Sequence, residues 1–194
     1  MKAKIILTLC LASLFLLSCN KWENETESGS KLILVSLQGV NLENQKSNIA
    51  YSDVITSSGG IFDDVGTATM ITVLIDSADT SPTAYQDVLV DQIDVKFFRT
   101  DGRNVEGVDV PYSFRQPMAQ LVPVGTQVEI PFVIIRHVAK LEPPLVALFE
   151  DWNRDIVLQL VAQVTIHGKD AAGFRVQPVT QNITVWCSNF ADEN

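Results

Sequence analysis

Few side chains in this 194-residue chain are able to do chemistry. They are two histidines, His137 and His167, a cysteine near the end, Cys187, and carboxylates grouped in polar turns. One cysteine, two histidines and a weak methionine, here Met118, are the ligand types of an electron-transfer copper centre. That centre needs a histidine and the methionine a few residues beyond the cysteine, on one loop. The segment after Cys187 is Ser188-Asn189-Phe190-Ala191-Asp192-Glu193-Asn194, which has neither, and copper is rejected. Cysteines spaced for zinc, and a Cys-x-x-Cys-His for haem, are also missing from the sequence.

Calcium needs hard oxygen ligands that converge. Asp63-Asp64, Asp76 with Asp79, Asp101, and Glu150-Asp151 with Asp155 fall at predicted turns. No EF-hand spacing links them, and turn carboxylates more often accept backbone N–H groups or face water. Asp63, Asp64, Asp76, Asp79, Asp101 and Asp151 are therefore weak candidate calcium ligands, and no cofactor is expected. Catalysis has little to stand on. The chain contains no Gly-x-Ser-x-Gly, no His-Glu-x-x-His and no phosphate-cradling glycine loop, and its histidines fall on separate predicted strands. No catalytic residue is assigned. Cys187, within Ile183-Thr184-Val185-Trp186-Cys187, reads as a small buried hydrophobe.

The elements that must position these residues are mostly strands. Lys31–Val40 is rich in branched residues, and Gly66–Asp76 is rich in β-forming residues on both faces, as a central strand is. Ile93, Val95 and Phe97 alternate with Asp94, Lys96 and Phe98, giving one wet face. Thr100-Asp101-Gly102-Arg103 reads as a hairpin turn with Val105–Phe114 as its return strand. In Gln127–Ile134, Val128, Ile130, Phe132 and Ile134 share a face. Pro131 has no N–H to donate and points to a sheet edge.

Ile156–His167 repeats the alternation, His167-Gly168-Lys169-Asp170 reads as a turn, and Phe174–Cys187 closes the set with a break near Pro178. One short helix is predicted after Pro143-Pro144, where Leu145, Leu148, Phe149 and Trp152 make an apolar stripe. The expected fold is all-β: an immunoglobulin-like or fibronectin-type sandwich of seven or eight strands with one connecting helix.

The amino terminus carries a different signal. Lys2 and Lys4 precede an apolar run from Ile5 to Leu17, shorter than the roughly 20 residues a membrane-spanning helix needs. Its length suits a cleaved export signal. Leu16-Leu17-Ser18-Cys19, followed by polar Asn20-Lys21, resembles the lipobox of bacterial lipoproteins. The resemblance covers residues 1–19. It implies cleavage before Cys19 and lipid attachment to the Cys19 thiol. Two or three acyl chains, at about 0.8 kcal/mol per buried methylene, then hold the chain on a membrane. The expected organisation is a signal over 1–18, a lipidated flexible tether over 19–30, and one β domain over 31–190. Eleven tether residues, Asn20 to Ser30, reach at most roughly 40 Å.

Charge narrows the partners. The 14 basic residues, less Lys2 and Lys4, face 23 acidic ones, so the mature chain carries a formal charge of −11. Such a body is repelled by nucleic acid and by anionic headgroups. With Cys19 lipidated, Cys187 has no partner for an internal disulfide, and the domain must stand on its apolar core. The expected role is a non-catalytic structural or protein-interaction module at the cell envelope, with an envelope protein as partner. Asn20 after the lipidated cysteine resembles the outer-membrane sorting default. A calcium- or glycan-binding module is the alternative reading, and an envelope enzyme comes third.

Overall fold

A computed structural model describes residues 27–76, 78, 81–150 and 156–190. Nearly all of its regular structure is β. The strands are β1 (Ser30–Val40), β2 (Lys46–Ser47), β3 (Ile49–Asp53), β4 (Asp64–Leu74) and β5 (Val88–Phe98). Then follow β6 (Phe114–Val122), β7 (Gln127–Ile135), β8 (Leu158–Asp170) and β9 (Arg175–Ser188). They form two curled sheets, in the orders β2-β1-β4-β7 and β3-β9-β8-β5-β6. All pairings are antiparallel except that of β3 with β9, where Ser52 lies opposite Cys187.

Period-two alternation places the core. Ala68 and Met70 on β4, Ile93, Val95 and Phe97 on β5, Ile130, Phe132 and Ile134 on β7, and Leu160, Ala162, Val164 and Ile166 on β8 are all buried in one cluster. Each fully buried aliphatic side chain contributes about 1.5–3 kcal/mol of transfer free energy, so this cluster dominates the stability. Thr72 is buried among them because its hydroxyl donates to the Val122 carbonyl at 2.8 Å. As predicted, β4 is central in its sheet and Pro131 lies on an edge strand, β7. The break near Pro178 is a register shift between β8 and β9.

The chain passes between sheets where β1 ends. Gly39 on β1 meets Ala50 on β3 so closely that an added Cβ would stand 2.4 Å from the Ala50 Cβ. Only glycine allows that approach. At the other end of β1, Ser28 and Ser30 are buried, the Ser28 N–H donates to the Arg175 carbonyl at 3.1 Å, and the Ser30 hydroxyl donates to the Gln86 carbonyl at 2.6 Å. Residues 28 and 30, read from sequence as tether, are thus part of the folded body. Tether residues 19–26, Cys19 included, lie outside the described residues.

Several local expectations are corrected. There are nine strands among the described residues, since β2 and β3 are too short and too mixed in composition to stand out. The return strand after Asp101 begins at Phe114, not Val105. The Val105 carbonyl instead accepts the N–H groups of Val108, Asp109 and Val110, a local turn that uses up the hydrogen bonds of a β-rich stretch. His167 to Asp170 belong to β8, and the turn falls at Ala171–Gly173, where Gly173 takes a φ of +96°. The predicted helix after Pro144 is one 3-10 turn, Leu145–Leu148, with Leu145 and Leu148 buried; Trp152 lies outside the described residues. A single α-helical turn, α1 (His137–Lys140), precedes it. Both sit in the β7–β8 connection, between the two sheets.

Candidate functional site

Four residues singled out in the sequence, Asp63, Asp64, His137 and Cys187, come together at one end of the two sheets. β4 begins there, while β3, β7 and β9 end there. Asp63 docks α1: its Oδ1 accepts the His137 backbone N–H at 2.5 Å and lies 2.7 Å from His137 Nδ1. This contact fixes the start of α1, and one turn later Lys140 points inward. Its side chain is only 1 % exposed. Lys140 Nζ donates to the Asp53 carbonyl at 2.7 Å and to Asp64 Oδ1 at 2.9 Å.

The floor of this cluster is β3 against β9. Ser52 and Cys187 are fully buried and in register. The Val54 N–H donates to the Ser188 carbonyl at 3.0 Å, and Asp53 Oδ1 accepts the Phe190 N–H at 3.0 Å. These bonds clamp the last strand against the Lys140 pocket.

Burial and charge act differently on the acids. The His137 backbone N–H, above all, holds the Asp63 carboxyl below the usual carboxylate range. Burial pushes Asp64 up, and the attraction of Lys140 only partly opposes it. Burial also pushes the Cys187 thiol up, with the Asp64 charge adding to the effect. A thiol so held is a poor nucleophile and a poor metal ligand.

His167 lies elsewhere, on the outward face of the five-stranded sheet. Its Nε2 is 3.1 Å from Asp94 Oδ2, and Asp94 Oδ1 accepts from Gln92 Nε2 at 2.9 Å and Arg115 Nε at 3.1 Å. Beside it runs a groove of about 1000 Å³, lined by Lys31, Asp91, His167, Lys169, Arg175 and Gln177 among others. Met118 is on β6, packed against the core. The two histidines, Cys187 and Met118 are therefore not assembled into one site.

The calcium candidates are dispersed. Asp76 follows the far end of β4 from Asp63 and Asp64, and its Oδ1 accepts the Ala78 N–H at 2.9 Å. Asp101 is gripped by the guanidinium groups of Arg99 at 2.6 Å and Arg103 at 3.0 Å, and its pKa is lowered, first of all by Arg99. Asp79, Asp151 and Asp155 lie outside the described residues. Among the described residues, no three His, Cys, Asp or Glu side chains converge as metal ligands.

Sequence reasoning missed Lys140, Ser52 and Asp53. A lysine in His137-Val138-Ala139-Lys140 carries no mark of burial. The only hint is its place one short turn beyond the Ile134-Ile135 core pair. No protein-family model matches the chain, and no curated protein is similar to it. Among the described residues no helix is long and apolar enough to cross a membrane.

Proposed function

We propose that this chain is an envelope lipoprotein, anchored by lipid on Cys19 to the outer membrane, whose β domain works without catalysis as a structural or protein-interaction module. The observation that carries the interaction role is the outward face of the four-stranded sheet. Ile33, Val35 and Val65 are 37 %, 48 % and 45 % exposed there. Ile33 lies opposite Ile71 and Val65 opposite Val133 in the ladders, so apolar side chains meet across the strands. A sheet face turned to water normally carries polar residues, and the two apolar groups here, set apart by Thr67 and Thr69 on β4 and Ser36 on β1, are the parts of this face that suit docking.

The same proposal takes the two sheets as an immunoglobulin-like or fibronectin-type sandwich. The strand orders support it: β1-β4-β7 matches A-B-E, and β9-β8-β5-β6 matches G-F-C-C′. In-cell crosslinking with mass spectrometry tests the partner role. A specific envelope neighbour crosslinked through Ile33, Val35 or Val65 is expected, and recovery of none counts against it. Fractionation of the Cys19→Ser variant tests the anchor. The variant is expected in the soluble fraction once unprocessed signal is excluded, and continued membrane association would remove the lipid reading.

The groove beside His167 favours a second reading, a glycan-binding module. Lys31, Asp91, Lys169, Arg175 and Gln177 offer both donors and acceptors to a hydroxylated ligand. Glycan-array binding that is lost in Arg175→Ala supports it, and an array without signal removes it.

A further inference from the structure

The pair of buried Lys140 and partly buried Asp64 has the requirements of a covalent bond as well as those of an ion pair. An ion pair taken out of water must recover a desolvation penalty of several kcal/mol per ion, which demands full hydrogen bonding of both charges. Lys140 does not reach that. An ammonium group has three N–H donors, and the acceptors here are two, the Asp53 carbonyl and Asp64 Oδ1. On the acid side, Asp64 Oδ2 is buried without a well-formed hydrogen bond, and the weak side-chain contact with Ser52 does not offset its burial, which favours the neutral acid. The raised pKa of Asp64 agrees with that state.

We infer that Lys140 and Asp64 condense into an intramolecular amide that ties the start of β4 to α1. The proton of the ammonium first moves to the carboxylate along the 2.9 Å contact, leaving an amine and an acid. The Nζ lone pair then attacks Cγ, which stands one carbon–oxygen bond beyond Oδ1. The N–C bond forms, one C–O bond breaks, and the departing oxygen leaves with two protons as water. Charge and atoms balance with no oxidant, reductant or activating cofactor.

Two features favour the step. Holding both reactants in one rigid pocket gives an effective concentration far above any in solution, on the order of 10⁵ M or more for well-oriented pairs. Burial of Lys140, Ser52 and Cys187 keeps water from reversing the reaction. The product also fits the site. Its single N–H retains the Asp53 carbonyl as acceptor, and a neutral amide replaces the ion pair. The bond closes a loop between positions 76 residues apart, joining β4 to the connection between the sheets.

The test is a tryptic digest of the purified full chain, unfolded just before digestion. Trypsin cuts after Lys46, Lys96, Arg136 and Arg154. The expected product is the peptide 47–96 joined to 137–154, lighter than the sum of the two by one water and uncut at Lys140. Recovery of 47–96 and 137–140 as separate peptides of unmodified mass overturns the inference. In Lys140→Arg the joined species is expected to vanish, and its persistence would overturn the assignment to Lys140. The wild-type digest decides even if that variant folds poorly. Neither outcome depends on the lipid anchor or on a partner.

Discussion

Gln116 holds Val133 by both ends of its amide: Nε2 donates to the Val133 carbonyl at 2.7 Å, and Oε1 accepts the Val133 N–H at 2.8 Å. Gln116 is on β6, an edge of the five-stranded sheet, and Val133 is on β7, an edge of the four-stranded one. One side chain therefore does the work of a missing strand and joins the two sheet edges. Gln116→Ala leaves both backbone groups of Val133 without this partner. At about 0.5–1.5 kcal/mol net per hydrogen bond, the expected loss is roughly 1–3 kcal/mol. A lower urea midpoint with an unchanged slope is the readout.

Lys140→Met places a neutral chain of similar length beside Asp64. The carboxylate is then buried without a cation, and the expected cost at neutral pH is about 3–5 kcal/mol. The sign of the pH effect follows from Asp64, whose folded pKa is raised. The folded state binds that proton more tightly than the unfolded chain, so the deficit shrinks as pH falls through the folded pKa toward the ordinary carboxylate value. Adding Asp64→Leu removes the orphaned charge and is expected to recover its share of the loss, leaving the share owed to the lost amide. Denaturant titrations of both single variants and the double variant give the coupling.

Asp63 acts in the opposite direction. Its folded pKa is depressed, chiefly by the His137 backbone N–H, so its contribution is present above the unfolded value and is lost as pH falls through the folded one. Stability measured from about pH 5 down to about pH 2 is expected to fall less steeply in Asp63→Asn than in the wild type. Identical acid limbs would show that the contact with His137 carries no pH-linked stability.

Cys187 is fully buried and its thiol is held protonated by that burial. A thiol reagent needs the exposed thiolate. The Cys187 thiol is therefore expected to stay unmodified in the native protein and to react at the rate at which the domain opens. Rapid labelling of folded protein, read by peptide mass, would contradict the packing of β9.

What the sequence revealed about the fold was what repeats in it. Ile93-Val95-Phe97, Ile130-Phe132-Ile134 and Leu160-Ala162-Val164-Ile166 all point inward as their spacing predicts, because one buried face forces a period of two. Pro131 marked an edge because its ring removes a donor. Partners across long distances left no such trace. Val105 to Ser113 has strand-like side chains, yet its backbone bonds close locally on Val105. Leu145 and Leu148 keep the inward stripe of a helix, but only as one 3-10 turn.

The candidate site was half legible. Asp63, Asp64, His137 and Cys187 attracted notice for their chemistry. Lys140 did not, since its burial depends on α1 being pinned by Asp63, a contact 74 positions apart. A charged residue's environment is set by tertiary packing, which local pattern does not encode.

The parallel pairing of β3 with β9 sets an order of assembly. Ile49 to Asp53 must wait for Thr184 to Ser188, 135 positions further along the chain. Without those residues β3 has no ladder partner, so the five-stranded sheet is complete only when two distant stretches of chain have met. Pairings this distant in sequence are slow to form. Until they meet, the unfinished edge is open to pairing with the edge of another chain.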